Sequence, residues 1–305
     1  LPNAAQVDRL AQAHDRLIDG LDKQHSTNLE SVLEELERQL ENIVGNKPLS
    51  PQEAIKKRAA IEAAIRGVFL TWAHDSVDEY EVPARNVVSL LQKLGAKEGW
   101  TPQDAETVNQ LKRVAFSGYE DIAQRYVEVL SNGLYMNSLT GRPMSDTVRE
   151  MKQAINGVYA RSDSEEAQRL VDFIRENRDD PRYAAQVDEA IGRLHTEFAR
   201  DAAGNNLRKY AFQQAHDAIR QFNGSFTAAQ AEEAGLNHFK YYGDIISTTR
   251  PFCKKLLGKV LSKEEIEEIW ANETWAGKSA GSPFEVRGGY NCRHNFTPVK
   301  PEWVT

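Results

Sequence analysis

Cys253, Cys292 and His294 are the residues of this 305-residue chain best suited to chemistry. They hold its only two cysteines, in two short stretches, TTRPFC and GGYNCRHNFTPV. Two thiols and an imidazole are metal-ligand types, but a closed structural zinc site takes four ligands, commonly with close pairs such as C-x2-C. Here the one close pair is Cys292-x-His294, so a fourth ligand would have to be Asp244, His238 or a residue not evident from spacing. The same atoms have other uses. Two buried thiols pack as small hydrophobes. A Cys253–Cys292 disulfide needs the two backbones close together and an oxidising compartment. A cysteine nucleophile with a histidine base is a further use, since residues two apart share one face of a strand. His294-Asn295 as part of a nuclease metal site is another. No evident third group, second histidine or acidic cluster completes either catalytic reading. No cofactor is expected, with zinc as the metal that Cys253, Cys292 and His294 would take.

An arginine accompanies each cysteine. A guanidinium is a rigid five-donor fork that can staple loops through carbonyls and carboxylates. Arg250 to Asp244, and Arg293 to a backbone carbonyl, are the expected staples holding TTRPFC against GGYNCRH. Gly288 and Gly289 would let the chain turn tightly there. Phosphate contact is the other use of such arginines. The histidines His14, His25, His74, His195 and His216 are scattered, none at metal spacing on a helix, and are expected as ordinary surface or core residues. No P-loop, G-x-G-x-x-G or G-x-S-x-G is present.

The elements that must position these residues are mostly helical. Leu10, Leu17, Leu21, Leu29, Leu33, Leu36, Leu40 and Ile43 recur at helical spacings over residues 1–46, as a bundle face or a coiled-coil arm. Gly45 to Pro48 breaks that helix. Ser50-Pro51-Gln52-Glu53 restarts one with a capping box. Pro83 interrupts near EYEVPAR, and Thr101-Pro102-Gln103-Asp104 caps the next helix. Thr140 to Pro143 is a turn, with Ser145 able to cap the next segment. Ser162 to Glu165 is a further capping box, Asp179 to Pro181 a break, and Ile191, Leu194 and Phe198 carry another helix. Residues 1–222 therefore read as a helical region.

After Asn223-Gly224 the character changes. A short helix capped at Thr227 is expected to end at Gly235, followed by a strand over His238 to Ile246. Lys259 to Leu261 and Phe296 to Val299 read as further strands, and Ser262 to Glu265 as a helix start. Residues 271–290 read as loop. The expected fold class is mainly α, with a long-helix region at 1–222 and a small α+β domain at 223–305.

Net charge is −7, unevenly spread: residues 239–305 carry +2 and the remainder −9. An acidic body argues against broad wrapping of nucleic acid, which needs a basic surface. No apolar run is long enough for a membrane span, and the start has no signal-peptide layout. A reducing compartment suits so few cysteines.

The C-terminal order resembles a known family. A strand leads to an aspartate, then T-R-P-F-C, G-K-V with S-x-E-E, a loop, G-G-Y-N-C-R-H and a closing P-V. Over about residues 225–300 this resembles the C-terminal domain of phage Mu protein F-like minor head proteins, the head morphogenesis proteins of tailed phages. The matching positions are Asp244, Thr249, Arg250, Pro251, Cys253, Gly258, Lys259, Gly289, Asn291, Cys292, Arg293 and His294. The resemblance implies a structural virion protein inside the capsid at the portal vertex, reached from the host cytoplasm during assembly. It implies the portal protein as partner, with the major capsid or scaffold protein and local contact with packaged DNA as further ones. An internal ejection protein is the alternative, and a Cys/His-dependent nuclease or transferase a more distant one. In many such proteins a C-P-x-C pair and an H-P-N-C-R-C ending read as a zinc site. Here Arg250 takes the place of the first cysteine and Gly289 that of the histidine. That departure favours a structural staple built on Asp244, Thr249, Arg250, Cys253, Gly289, Asn291, Cys292, Arg293 and His294, without catalysis.

Overall fold

The computed structural model describes residues 2–141, 143–156, 206–246, 249–275 and 278–304, with short pieces between 169 and 190. The capping box at Ser162–Glu165, the break at Asp179-Asp180, the helix through Ile191, Leu194 and Phe198, and His195 lie outside the described residues.

The architecture is mainly α with a small antiparallel sheet, as the sequence predicts. Helix α1 runs Ala4–Val44 and ends at Gly45, whose φ of +76° is left-handed. Helix α2, Pro51–Ile65, starts on the foreseen capping box: the Glu53 N–H donates to Ser50 Oγ, and the Ser50 N–H donates to the Glu53 carboxylate. A π-turn at Arg66–Leu70 leads into α3, Thr71–Asp78. Helix α4, Glu81–Lys93, accepts Pro83 within its first turn, where the missing N–H has no helical partner to lose. Helix α5, Pro102–Thr140, opens on the reciprocal Thr101–Asp104 cap. Helix α6 spans Met144–Asn156, so Ser145 lies inside it rather than capping it.

Helix α7, Leu207–Glu233, corrects the sequence expectation. It runs unbroken through Asn223-Gly224, and Thr227 is buried inside it rather than capping a new helix. The glycine is there for close packing: a Cβ at Gly224 would lie 2.0 Å from the Phe284 carbonyl oxygen. Asn223 faces inward and meets His14 Nε2 at 2.8 Å.

The chain then forms β1 (His238–Tyr242), α8 (Pro251–Leu256), β2 (Val260–Ser262), α9 (Lys263–Asn272), α10 (Pro283–Val286) and β3 (Asn295–Val299). Strand β1 stops at Tyr242, short of the expected Ile246. The expected loop at 271–290 contains α10, capped by Ser282. The sheet order is β2-β1-β3, antiparallel throughout, with Phe239 opposite Leu261 on one side and Tyr241 opposite Phe296 on the other. The second foreseen capping box, Ser262 with Glu265, starts α9.

By contact the chain divides into two units. The first combines Leu1–Val32, Leu70–Asp121 and Phe212–Thr305; the second combines Leu33–Phe69 and Ile122–Ala211. In the second unit Leu33, Leu36, Leu40, Ile61, Phe69, Tyr126 and Leu130 are buried. Lys152 there bridges Glu37 and Glu41.

In the first unit the helical stripe is not the expected one. Leu10, Leu17 and Leu21 are only half-buried, and the buried face of α1 is Val7, Ala11, His14, Ile18, His25 and Leu29. His14 is buried because both ring nitrogens are used, by Asn86 and Asn223, each at 2.8 Å. The small sheet is fixed to α1. Asp8 accepts from Lys240 Nζ at 2.7 Å and from the Tyr242 hydroxyl at 2.6 Å, and Asp15 accepts from Asn295 Nδ2 at 2.8 Å. Residues 223–305 thus share a unit with α1 as far as Val32.

Candidate metal centre

The two cysteine-bearing stretches meet. Cys253 comes from α8, which Pro251 starts at its first turn, and Cys292 from the loop before β3. Their sulfurs are 3.7 Å apart, unbonded, and 1% and 2% exposed. His294 Nδ1 stands 3.7 Å from Cys292 Sγ, and the three ligand atoms all lie within 4.8 Å of one another.

The two separations made by Cys292 Sγ, 3.7 Å to Cys253 Sγ and 3.7 Å to His294 Nδ1, match those around one metal ion. Two thiolates at about 2.3 Å from a tetrahedral zinc stand roughly 3.8 Å apart, and a thiolate and an imidazole nitrogen roughly 3.6 Å. His294 Nε2 is buried with no hydrogen-bond partner among the described residues, so the ring is not fully engaged by the protein. Neither Asp244 nor His238, the expected fourth ligands, joins the cluster. Cys253, Cys292 and His294 can therefore hold a metal ion with three protein ligands.

Several groups shape the cluster. Gly288 lies against both sulfurs: a Cβ there would be 2.4 Å from Cys253 Sγ and 3.0 Å from Cys292 Sγ. Its N–H donates to Cys292 Sγ at 3.2 Å. The Tyr241 hydroxyl is 3.4 Å from Cys253 Sγ and 3.9 Å from Cys292 Sγ, and its ring stacks on His294 at 5.4 Å. The Cys253 thiol donating to the Cys292 sulfur holds Cys292 well below the usual thiol range, against the opposing effect of burial and with support from His294 and Arg287. The same bond, together with burial, pushes Cys253 up. Metal binding here would take both sulfurs as thiolates and release protons.

Arg250 and Arg293 make different bonds from those expected. Arg250 Nη2 donates to the Tyr290 carbonyl at 2.6 Å, while Asp244 stands exposed. A carbonyl replaces the carboxylate because the turn before Asn291 presents it directly to α8. Thr249 closes its own turn, accepting from the Ile246 N–H at 2.8 Å. Gly289 takes a φ of +94° and Asn291 one of +56°, giving the tight turn that carries Cys292 back under Gly288. The Asn291 N–H donates to Asp217 at 2.9 Å. The Arg293 side chain is exposed; its carbonyl accepts from Arg220 Nη1 at 3.3 Å.

The arginine that does reach a carbonyl from within this loop is Arg287, which no motif in the sequence singles out. It is 1% exposed, and its Nη1 donates to the carbonyls of Arg220 at 2.7 Å and Glu285 at 2.5 Å. Burial lowers its pKa, opposed by the neighbouring Cys292 and Tyr241. Tyr241 had a legible signal, because strand alternation places it on the Phe239 face. Gly288, expected as a turn residue, lies in the turn after α10 and also serves as the floor beneath two sulfurs.

The cluster forms one wall of a cleft of about 650 Å³, whose lining includes Asp15 and Asp19 of α1 together with Arg250, Cys253, Cys292 and His294. Burial raises the Asp15 carboxyl, only partly offset by its bond from Asn295. No helix among the described residues is long and apolar enough to cross a membrane. Comparison with family models, curated proteins and solved structures gives no match.

Proposed function

We propose that this chain is a structural minor head protein of a tailed phage, bound to the portal vertex inside the capsid and acting in head assembly and in DNA packaging or ejection. The observation that carries the reading is the junction of the two stretches on which the phage Mu protein F-like resemblance rests: Cys253 and Cys292 stand 3.7 Å apart, and Arg250 is bonded to the Tyr290 carbonyl. This is an arrangement suited to locking a terminal fold, with attachment as its use. The partner is the portal protein, with the major capsid or scaffold protein and packaged DNA as further contacts. The run from Leu10 to Ile43 is not the docking surface, because its apolar residues are buried or half-buried in the chain itself. Co-expression with the portal protein of the same phage, followed by cryo-EM of purified heads, should place the chain at one vertex. Heads that assemble normally and lack it would refute the proposal.

Zinc is the metal we assign to Cys253, Cys292 and His294. Thiolate and imidazole ligands suit it, and bound zinc would add its binding free energy to the folding of this region. Elemental analysis of the purified chain should give close to one zinc per chain, falling to background in Cys292→Ser. A second reading is favoured by the cleft against which the cluster lies: Cys292 and His294 as a nucleophile and base of a nuclease or transferase. It requires a turnover that disappears in Cys292→Ala while the fold persists.

A further inference from the structure

We infer that Cys253 and Cys292 are a redox-modifiable dithiol, which a low-molecular-weight disulfide such as glutathione disulfide converts into a single intrachain disulfide. The two sulfurs face each other at 3.7 Å with no side chain between them. A disulfide bond is about 2.0 Å long, so closure needs an approach of under about 2 Å. The surroundings hold the pair in register from several sides: the Gly288 N–H on Cys292 Sγ, the Tyr241 hydroxyl on both sulfurs, and the fixed Arg250–Tyr290 bond beside them. Both cysteines also line the cleft of about 650 Å³, which gives a small reagent a route to atoms that are otherwise buried.

The chemistry balances with the disulfide as oxidant. The Cys292 thiolate attacks one sulfur of the reagent, forming a mixed disulfide and expelling one small thiolate. Cys253 then attacks the Cys292 sulfur; its proton leaves with the second small thiolate, and the Cys253–Cys292 bond forms. Two protein thiols are oxidised, and one small disulfide is reduced to two thiols. A metal and this bond compete for the same sulfur electron pairs, so the two states exclude each other. The dithiol shares the ligands assigned to zinc above but does not require zinc.

The test uses the full chain, freed of metal by dialysis against a chelator and equilibrated in glutathione mixtures of increasing oxidation. Samples are acid-quenched, alkylated in denaturant and weighed by mass spectrometry. Both thiols should be lost together, with one peptide pair linked through Cys253 and Cys292 and restored by dithiothreitol. The folded chain should close this bond at least roughly tenfold more favourably than the same chain in urea, because the fold supplies the local concentration. Cys253→Ser should stop at a glutathione adduct on Cys292. Equal closure in folded and unfolded chains, persistence of both thiols, or a stable adduct on the unsubstituted chain would overturn the inference. An equimolar zinc arm should preserve both thiols. Oxidation at an unchanged rate in that arm would refute the zinc assignment and leave the dithiol supported by the metal-free arm.

Discussion

Gly288 is the residue on which the cysteine cluster turns. It has no room for a methyl group, since the nearest atom would be Cys253 Sγ at 2.4 Å. Gly288→Ala should therefore cost about 1–3 kcal/mol in chemical denaturation, the range for overpacking a core, and should separate the two sulfurs enough to lower zinc uptake. Normal stability and metal content in that variant would show that the sulfurs adjust freely. Cys253, Cys292 and His294 were legible as a group because cysteine is so sparse in this chain. Arg287 was not, nor was the contact of Gly288 with both sulfurs, for a physical reason: these roles depend on segments that meet only in the fold. Arginine is ordinarily a surface residue, and nothing in E-V-R-G-G distinguishes one that is 1% exposed. Arg250 reaches the Tyr290 carbonyl, so a hydrogen bond ties the two stretches together.

At the level of elements, caps were the most reliable signal. Ser50 with Glu53, Thr101 with Asp104 and Ser262 with Glu265 each start a helix where expected, because a capping box is a local device. Asn223-Gly224 misled for the complementary reason. An Asn-Gly pair signals a turn, but here its two residues serve partners distant in sequence, His14 and Phe284. This yields a prediction of sign. In an exposed helix interior Gly→Ala stabilises by about 1 kcal/mol; Gly224→Ala should instead destabilise by about 1–3 kcal/mol as the Phe284 carbonyl is displaced. A raised melting temperature would contradict the packing described. Helices α1 and α7 are also tied by charge. Asp22 accepts from His216 Nδ1 at 2.6 Å and lies 3.5 Å from Arg220, which also pairs with Asp19. Burial pushes the Asp22 carboxyl up, but His216 and Arg220 together hold it below its usual 3.8. A carboxylate with a lowered folded pKa stabilises fully above its unfolded value and loses that contribution as pH falls through the folded one. Asp22→Asn should thus cost about 1–3 kcal/mol at pH 7. Its deficit relative to the parent chain should shrink below about pH 4. A deficit independent of pH, in denaturation curves at both values, would assign the loss to packing.

For the whole molecule, the sheet shares one unit with residues 1–32 and 70–121. Asp8 and Asp15 of α1 hold Lys240, Tyr242 and Asn295, and Arg220 and Arg287 exchange bonds between α7 and the cysteine loop. Residues 223–305 expressed alone should lack cooperative unfolding and dispersed amide resonances. A well-dispersed spectrum would show that these ties are dispensable. Composition and periodicity made the mainly α architecture with a small antiparallel sheet readable, but not the grouping of segments, since that depends on pairings between chain ends.

The bond between Asn295 and Asp15 joins residues 280 positions apart in the sequence. A ribosome making this protein therefore releases α1 long before the strand that covers it has been translated. During that interval the inward face of α1, with His14 and Asp15, has to wait in the company of chaperones or solvent. Closing so distant a pair is entropically slow, so maturation of this unit should lag behind the translation of α1.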